Sequence, residues 1–217
     1  LGPAPTPTLR EVGGKQVRGG LLLLKGGAGT NVRPMLRSEI LDAYGVGKEV
    51  KDSEEAVRAA AAHLNRREGE GRALSVAVDV GSSASISDAL YEVVRTYGGF
   101  DVFVANAGVS TAKGVEERSG ENVDFDTASS YTSYLQCVEQ VAPILAVQHQ
   151  ANPAYTSDII QINTKLSHVG SSQNAAYVGS EFGAIGLMQS FARTFIKDGV
   201  KVNAVCPGNF FDTPVWS

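Results

Sequence analysis

From Leu21 onward, short apolar runs alternate with longer amphipathic stretches. Leu21–Leu24 is a run of four leucines ending in Lys25-Gly26-Gly27-Ala28-Gly29, the pattern of a buried strand entering a turn. Residues 32–44 carry Val32, Met35, Leu36, Ile40 and Leu41 on a rough helical stripe that Gly45 stops. A weaker strand follows over Val46–Val50, interrupted by a glycine and two charges. Ser53 with Glu54 and Glu55 then opens a helix that ends before Gly69, because an N-cap hydroxyl and early carboxylates complement the free N–H groups of a first turn.

The rest of the chain repeats this alternation more cleanly. Ala73–Val78 is predicted as a strand, and Ile86, Leu90, Val93, Val94 and Tyr97 mark one helix face closed by Gly98-Gly99. Val102–Ala105 is the next strand, and a long helix spans about 124–150 with Pro143 as a kink. Ile159–Ile162, a helix over 175–197 and the strand Val202–Val205 complete the series. Strands that are apolar on both faces and alternate with helices predict an α/β fold, a three-layer doubly wound parallel sheet of the Rossmann type. Ligands in such sheets bind beyond the carboxyl ends of the strands, here just after residues 25, 78, 105, 163 and 206.

The sequence of 217 residues, 43% hydrophobic, is long enough for one well-buried core. The predicted organisation is a tail over 1–18, with three prolines in its first seven residues, and one domain over 19–217. Lys plus Arg is 19 and Asp plus Glu is 23, so the net charge of −4 offers no field that draws nucleic acid or anionic membrane. Arg66-Arg67 is the one tight basic pair. No signal peptide and no membrane span are visible, so the expectation is a soluble, cytoplasmic protein. Cys137 and Cys206, like His63, His149 and His168, stand far apart at no ligand spacing; buried thiols and no metal site are expected.

The strand ends carry the chemistry. Asp79-Val80 follows the third strand, Asn106-Ala107-Gly108 the fourth and Pro207-Gly208 the sixth, while Tyr177 stands on the helix after the fifth. This set, in this order, resembles the short-chain dehydrogenase/reductase family from about Leu21 to the end of the chain. Asp158–Lys165 and Val202–Ser217 resemble its sugar-alcohol branch, which includes the sorbitol-6-phosphate dehydrogenases. The resemblance implies that Asp79 and Val80 hold the adenine and that Asn106, Ala107 and Gly108 support the cofactor cleft. It also implies that Pro207 and Gly208 press on the nicotinamide and that Thr213 contacts its carboxamide.

Several positions depart from that family's pattern. In place of its glycine motif stand Lys25, Gly26, Thr30 and Val32; Gly26 survives, and Gly27 and Gly29 keep the turn flexible. Nucleotide binding, to NAD or NADP, is therefore expected to be weakened, with NAD slightly favoured if Asp52 binds the ribose. Counting thirteen back from Tyr177 puts Thr164 at the position of the family's serine, and counting thirteen back from Pro143 puts Ser130 at that of its asparagine. Four residues past Tyr177, where the family's lysine favours the phenolate and holds the ribose, stands Glu181. A carboxylate there disfavours the phenolate and removes the ribose donor. Lys165 neighbours Thr164, but strand alternation points it to the other face.

The family continues beyond the Pro-Gly bend with a substrate lobe, a last strand and a last helix, which this chain is expected to lack. The expectation is thus a catalytically impaired or non-catalytic, structural or regulatory homologue of NAD(P)-dependent sugar-alcohol oxidoreductases. The alternative is an active oxidoreductase of a polyol or sugar-alcohol phosphate working through Tyr177 and Thr164. Family helices corresponding to 124–150 and 175–197 form a dimer interface, which implies a homo-oligomer or a hetero-oligomer with a related subunit. Tyr131, Tyr134, Phe182, Met188 and Phe191 are the candidates to line it, unless they are ordinary core.

Overall fold

A computed structural model describes residues 10–12, 15–17, 21–24, 53–108, 123–124, 127–172 and 174–208. The expected helix over 32–44, the strand over 46–50, and Gly26, Gly29, Thr30, Asp52 and Thr213 lie outside the described residues. Within the predicted tail, β1 (Arg10–Val12) and β2 (Lys15–Val17) pair as a short antiparallel hairpin. The four leucines form β3 (Leu21–Leu24), paired in parallel with β4 (Ala73–Val76) so that Leu21 lies beside Ala73 and Leu24 beside Val76.

Between them runs α1 (Ser53–Glu68), with Val57, Ala60 and Ala61 on its buried face. Asn65 fixes how α1 hands over to β4. Its Nδ2 donates to Ala73 O at 3.0 Å and its Oδ1 accepts from Ala73 N at 2.7 Å, so one side chain satisfies both backbone groups of the first strand residue.

After β4 comes α2 (Ser83–Tyr97), capped by Ser82, whose side chain accepts from Ser85 N, and closed by Gly98 at φ 80°. That left-handed conformation suits glycine because it has no Cβ. β5 (Val102–Ala105), β6 (Ser157–Ile162) and β7 (Val200–Val205) form a parallel three-stranded sheet with Val104 beside Ile160 and Ile160 beside Asn203. The connections are α3 (Ser133–Ala151) and α4 (Ala175–Phe195), and α4 runs into a short 3-10 turn over Ile196–Asp198. Helix α3 continues through Pro143, so the proline does not end it.

The core gathers Ile86, Ala89 and Leu90 of α2, Tyr134, Val138, Val141 and Leu145 of α3, and Phe103, Ile159, Val200 and Val202 of the sheet. Leu187, Met188, Phe191 and Phe195 of α4 pack against it, so α2, α3 and α4 share one face of the β5–β7 sheet. The opposite phase of the strands is more open: Val102, Val104 and Val205 are about half exposed, although the apolar strands predicted cover on both faces. The architecture is the parallel, helix-covered α/β sheet expected of the chain, and it brings the ends of β5, β6 and β7 side by side.

Candidate active site

Ser130 sits where the sequence gives no hint of irregular structure. Residues Ala128–Thr132 form a π turn leading into α3, with the N–H of Ser133 donating to Ala128 O. Such i→i+5 turns recur at functional sites, and this one turns Ser130 inward until it is buried. The neighbouring Tyr131 packs against α4 at Gly183, where any Cβ would stand 3.0 Å from its ring Cδ2. On the other side a Cβ at Gly108 would stand 3.6 Å from Ser130 Oγ, so the Asn106-Ala107-Gly108 turn after β5 borders the same spot.

Beyond β6 and β7 the backbones stay joined: Asn163 N donates to Val205 O at 2.8 Å and Lys165 N donates to Pro207 O at 2.9 Å. The Thr164 loop and the Pro207-Gly208 bend are therefore neighbours. Thr164 caps a 3-10 turn over Lys165–Ser167, its Oγ1 accepting from Leu166 N at 3.4 Å and its carbonyl accepting from Ser167 Oγ at 2.6 Å. The same Ser167 hydroxyl is shared with Asn163 Oδ1, and Asn163 Nδ2 donates to the Glu181 carbonyl at 3.4 Å, tying this loop to α4. Lys165 is exposed and stands on the 3-10 turn beyond the end of β6, so the turn and not strand alternation sets its direction.

Glu181 is the centre of the group. It is only 6% exposed, and burial pushes its carboxyl up to about 7 from an ordinary value of 4.5. The hydroxyls of Ser130 and Tyr177 pull it part of the way back. The Ser130 Oγ nevertheless has no partner that meets hydrogen-bond geometry. Glu181 also acts on the half-buried Cys206 at the end of β7, whose thiol is raised first by burial and further by that carboxylate, while Ser167 lowers it. Among the described residues, none of the groups acting on the Glu181 carboxyl is a cation.

The structure thus brings Ser130, Tyr177 and Glu181 together at the carboxyl ends of β5–β7, with Thr164 and Pro207-Gly208 on the adjoining loops. Asp79 and Val80 stand apart at the end of β4. Val80 is buried, and Asp79 Oδ1 accepts from Gly81 N at 2.9 Å while Asp79 N donates to Ser85 Oγ at 2.8 Å. That carboxylate therefore shapes the turn into α2.

Three residues of the site went unread in the sequence. Asn163, Ser167 and Cys206 join the group, and Cys206 is half-buried where a fully buried thiol was expected; Cys137, by contrast, is buried in the core. Asn163 had a visible signal. Inward positions on β6 alternate through Ser157, Ile159 and Gln161, so a polar residue at 163 falls on the inward phase.

The interface candidates also divide. Tyr134 is buried edge-to-face against Phe191 with ring centroids 5.6 Å apart, and Phe191 stacks on Phe195 at 5.8 Å. Met188 packs against the core, Tyr131 against Gly183, and Phe182 is exposed at 46%. Among the described residues no cluster of His, Cys, Asp and Glu could hold a metal ion, and no helix is long and apolar enough to cross a membrane.

Comparison with known proteins agrees with this frame. Residues 41–217 match the family described as short chain dehydrogenase. The chain is 26% identical over 156 residues to sorbitol-6-phosphate 2-dehydrogenase of Escherichia coli, covering 72% of this chain and 58% of that protein. It is 25% identical over 182 residues to a 3-oxoacyl-acyl-carrier-protein reductase of Staphylococcus aureus, covering 84% and 70% respectively. A crystal structure of sorbitol-6-phosphate 2-dehydrogenase from Erwinia amylovora superposes with a TM-score of 0.70 at 29% identity, over 76% of this chain and 62% of that one. The chain therefore spans rather more than half the length of the sorbitol-6-phosphate dehydrogenases it is similar to. With the motif order, the parallel sheet and a family match over most of its residues, the chain belongs to the short chain dehydrogenase family.

Proposed function

We propose that this chain is a short-chain dehydrogenase-type domain whose hydride-transfer chemistry is impaired at Glu181. The observation that carries the reading is a buried carboxyl, raised to about 7, at the position where the family's lysine would sit. Proton transfer by a tyrosine needs its phenolate stabilised, and a neighbouring cation does this where a carboxyl does not.

The outer frame fits NAD or NADP: Asp79 and Val80 stand at one strand end, Asn106, Ala107 and Gly108 at another, and Pro207-Gly208 at a third. Gly208 keeps open space around its α-carbon. The reacting end does not fit, because the donor set that would hold the nicotinamide ribose now presents a carboxyl and no described cation. No chemical step is therefore assigned to the cofactor. A slight preference for NAD rests on Asp52 as a ribose-binding acid. Assembly with itself or a related subunit is the accompanying proposal, with exposed Phe182 on α4 as its supporting feature.

The test is a fluorescence titration of the chain with NADH and NADPH, followed by turnover of sorbitol 6-phosphate by wild type and Glu181→Lys. Weak or absent wild-type turnover, with a gain in Glu181→Lys, is the expected result. Wild-type turnover at ordinary dehydrogenase rates would overturn the reading in favour of an active polyol oxidoreductase. That second reading rests on Tyr177 and Thr164, whose hydroxyls stand at the ends of neighbouring elements.

A further inference from the structure

The Glu181 group has an electrostatic character that loss of a lysine does not by itself require. A position emptied of function is ordinarily filled by an apolar or small side chain, because burying an acid without a compensating cation is costly. Here the acid is kept, and it is 6% exposed. Beside it Ser130, 5% exposed, has an Oγ with no hydrogen-bond partner. Tyr177 is half-buried on the same helix face, one turn earlier. Cys206 feels the carboxylate from the end of β7, so the charge is directed toward the strand ends where ligands of such sheets bind. The group is rich in acceptors, and among the described residues nothing acting on the carboxyl is positively charged.

We propose that this cluster is a binding site for a small primary amine, whose ammonium group is held by the Glu181 carboxylate and Ser130 Oγ together. The proposal rests on the reading that the lysine function is lost at this position, and it names what the altered position accepts. An ammonium has three donors and one charge, so it satisfies the orphaned serine oxygen and neutralises the buried acid together. A neutral alcohol can do the first and not the second, and an anion is repelled.

Binding depends on the ionised carboxylate. The titratable groups that act on or feel it among the described residues are Tyr177 from its own helix and Cys206 from the end of β7, while Ser130 adds a neutral hydroxyl and Asn163 binds the Glu181 backbone carbonyl instead. The Cys206 thiol is shifted upward and stays uncharged near neutrality. Raising the pH from 6 to 8.5 takes a carboxyl titrating at about 7 from about one-tenth ionised to nearly fully ionised, a change of about tenfold in binding-competent protein.

The experiment is calorimetric titration of the full chain, without nucleotide, using ethanolamine as the amine probe and ethylene glycol as its neutral counterpart. Saturable binding of ethanolamine, about tenfold tighter at pH 8.5 than at pH 6, is expected, with none for ethylene glycol. Glu181→Gln should abolish it and Ser130→Ala should weaken it. Equal binding of the two probes, unchanged binding by Glu181→Gln, or no saturable ethanolamine binding would each overturn the proposal. Should a variant fail to fold, the Glu181 carboxyl carbon shift in the wild type decides. Ethanolamine must lower its titration midpoint and ethylene glycol must not; an unmoved midpoint overturns the proposal. Failure of Glu181→Lys to gain turnover would sink the dehydrogenase reading while leaving these heats untouched, so the two failures are distinguishable.

Discussion

Replacing Glu181 with Gln tests the burial of this acid directly, through the pH dependence of folding. The carboxyl has an ordinary value of 4.5 and is pushed up to about 7 in the fold, so the native state holds a proton the unfolded chain has released. Between those two values the folded protein binds more protons, and its stability falls as pH rises. Below pH 4.5 the acid is neutral in both states and the penalty is absent; above pH 7 it is charged in both and the penalty is complete. A difference of 2.5 units at 1.36 kcal/mol each gives about 3 kcal/mol.

Gln keeps the shape and carries no charge at any pH, so this slope disappears in the variant. Urea unfolding of wild type and Glu181→Gln at pH 4 and pH 8 isolates the effect, because other groups cancel in the difference. Relative to its effect at pH 4, the substitution should stabilise the protein by about 3 kcal/mol at pH 8. In a chain of this size that corresponds to roughly 6–12 °C in melting temperature. A difference that stays the same at both pH values, within about 0.5 kcal/mol, would refute the claim that the acid is buried and proton-holding.

Other substitutions test the frame around it. Gln148 donates to Phe100 O at 2.7 Å and accepts from Phe100 N at 2.9 Å, so Gln148→Leu should cost about 2–4 kcal/mol in chemical denaturation by orphaning both backbone groups. Leu145 is fully buried between α3 and the sheet, and Leu145→Ala should cost about 2–5 kcal/mol in the same assay. Gly199 stands at φ 68° with the His149 ring where a Cβ would go; Gly199→Ala should lower the melting temperature through both strain and collision. Under iodoacetamide at pH 8, Cys206 should label in the native protein, and faster in Glu181→Gln. Cys137, buried and raised to about 11, should label only on unfolding; native labelling of Cys137 first would contradict the packing of α3.

Most of the frame was legible because hydrophobic period and turn residues agree along the chain. Leu21–Leu24, Val102–Ala105 and the α4 region fall where the pattern puts them, while β6 and β7 each begin two residues earlier than predicted. Those extra residues, Ser157 with Asp158 and Val200 with Lys201, include polar and charged side chains that an apolar count discards. Backbone pairing retains them, and Lys201 Nζ lies 2.9 Å from Asp158 Oδ2 across the two strands. The π turn at Ser130 had no sequence signature, since an i→i+5 step leaves no period of its own. Likewise the interface stripe read on α3 and α4 could not be told from core by spacing alone. Tyr134 and Phe191 meet each other inside, because both helices turn those positions toward the sheet.

Under the proposed impairment, the raised carboxyl also changes which effect would disable the tyrosine. Taken as a fixed anion, Glu181 would oppose a phenolate by about 4 kcal/mol at 4 Å and an effective dielectric near 20. A carboxyl that titrates at about 7 is not fixed, because it can take up a proton when the phenolate forms. The repulsion is then capped by the free energy of protonating Glu181, on the order of 1 kcal/mol or less near neutral pH. The missing cation has no such escape, and its absence forgoes attraction of about 4 kcal/mol on the same scale. Under the proposed impairment, the absence of a cation would therefore outweigh the presence of the acid at neutral pH. Removing the acid with Glu181→Gln should change turnover by no more than about tenfold near neutral pH, whereas Glu181→Lys should raise it by as much as about a thousandfold. Turnover of sorbitol 6-phosphate by all three proteins, measured from pH 6 to pH 8 at saturating cofactor, separates the two effects. If Gln restores as much activity as Lys at pH 7, the carboxylate's charge is the obstacle and the proton-sharing argument fails.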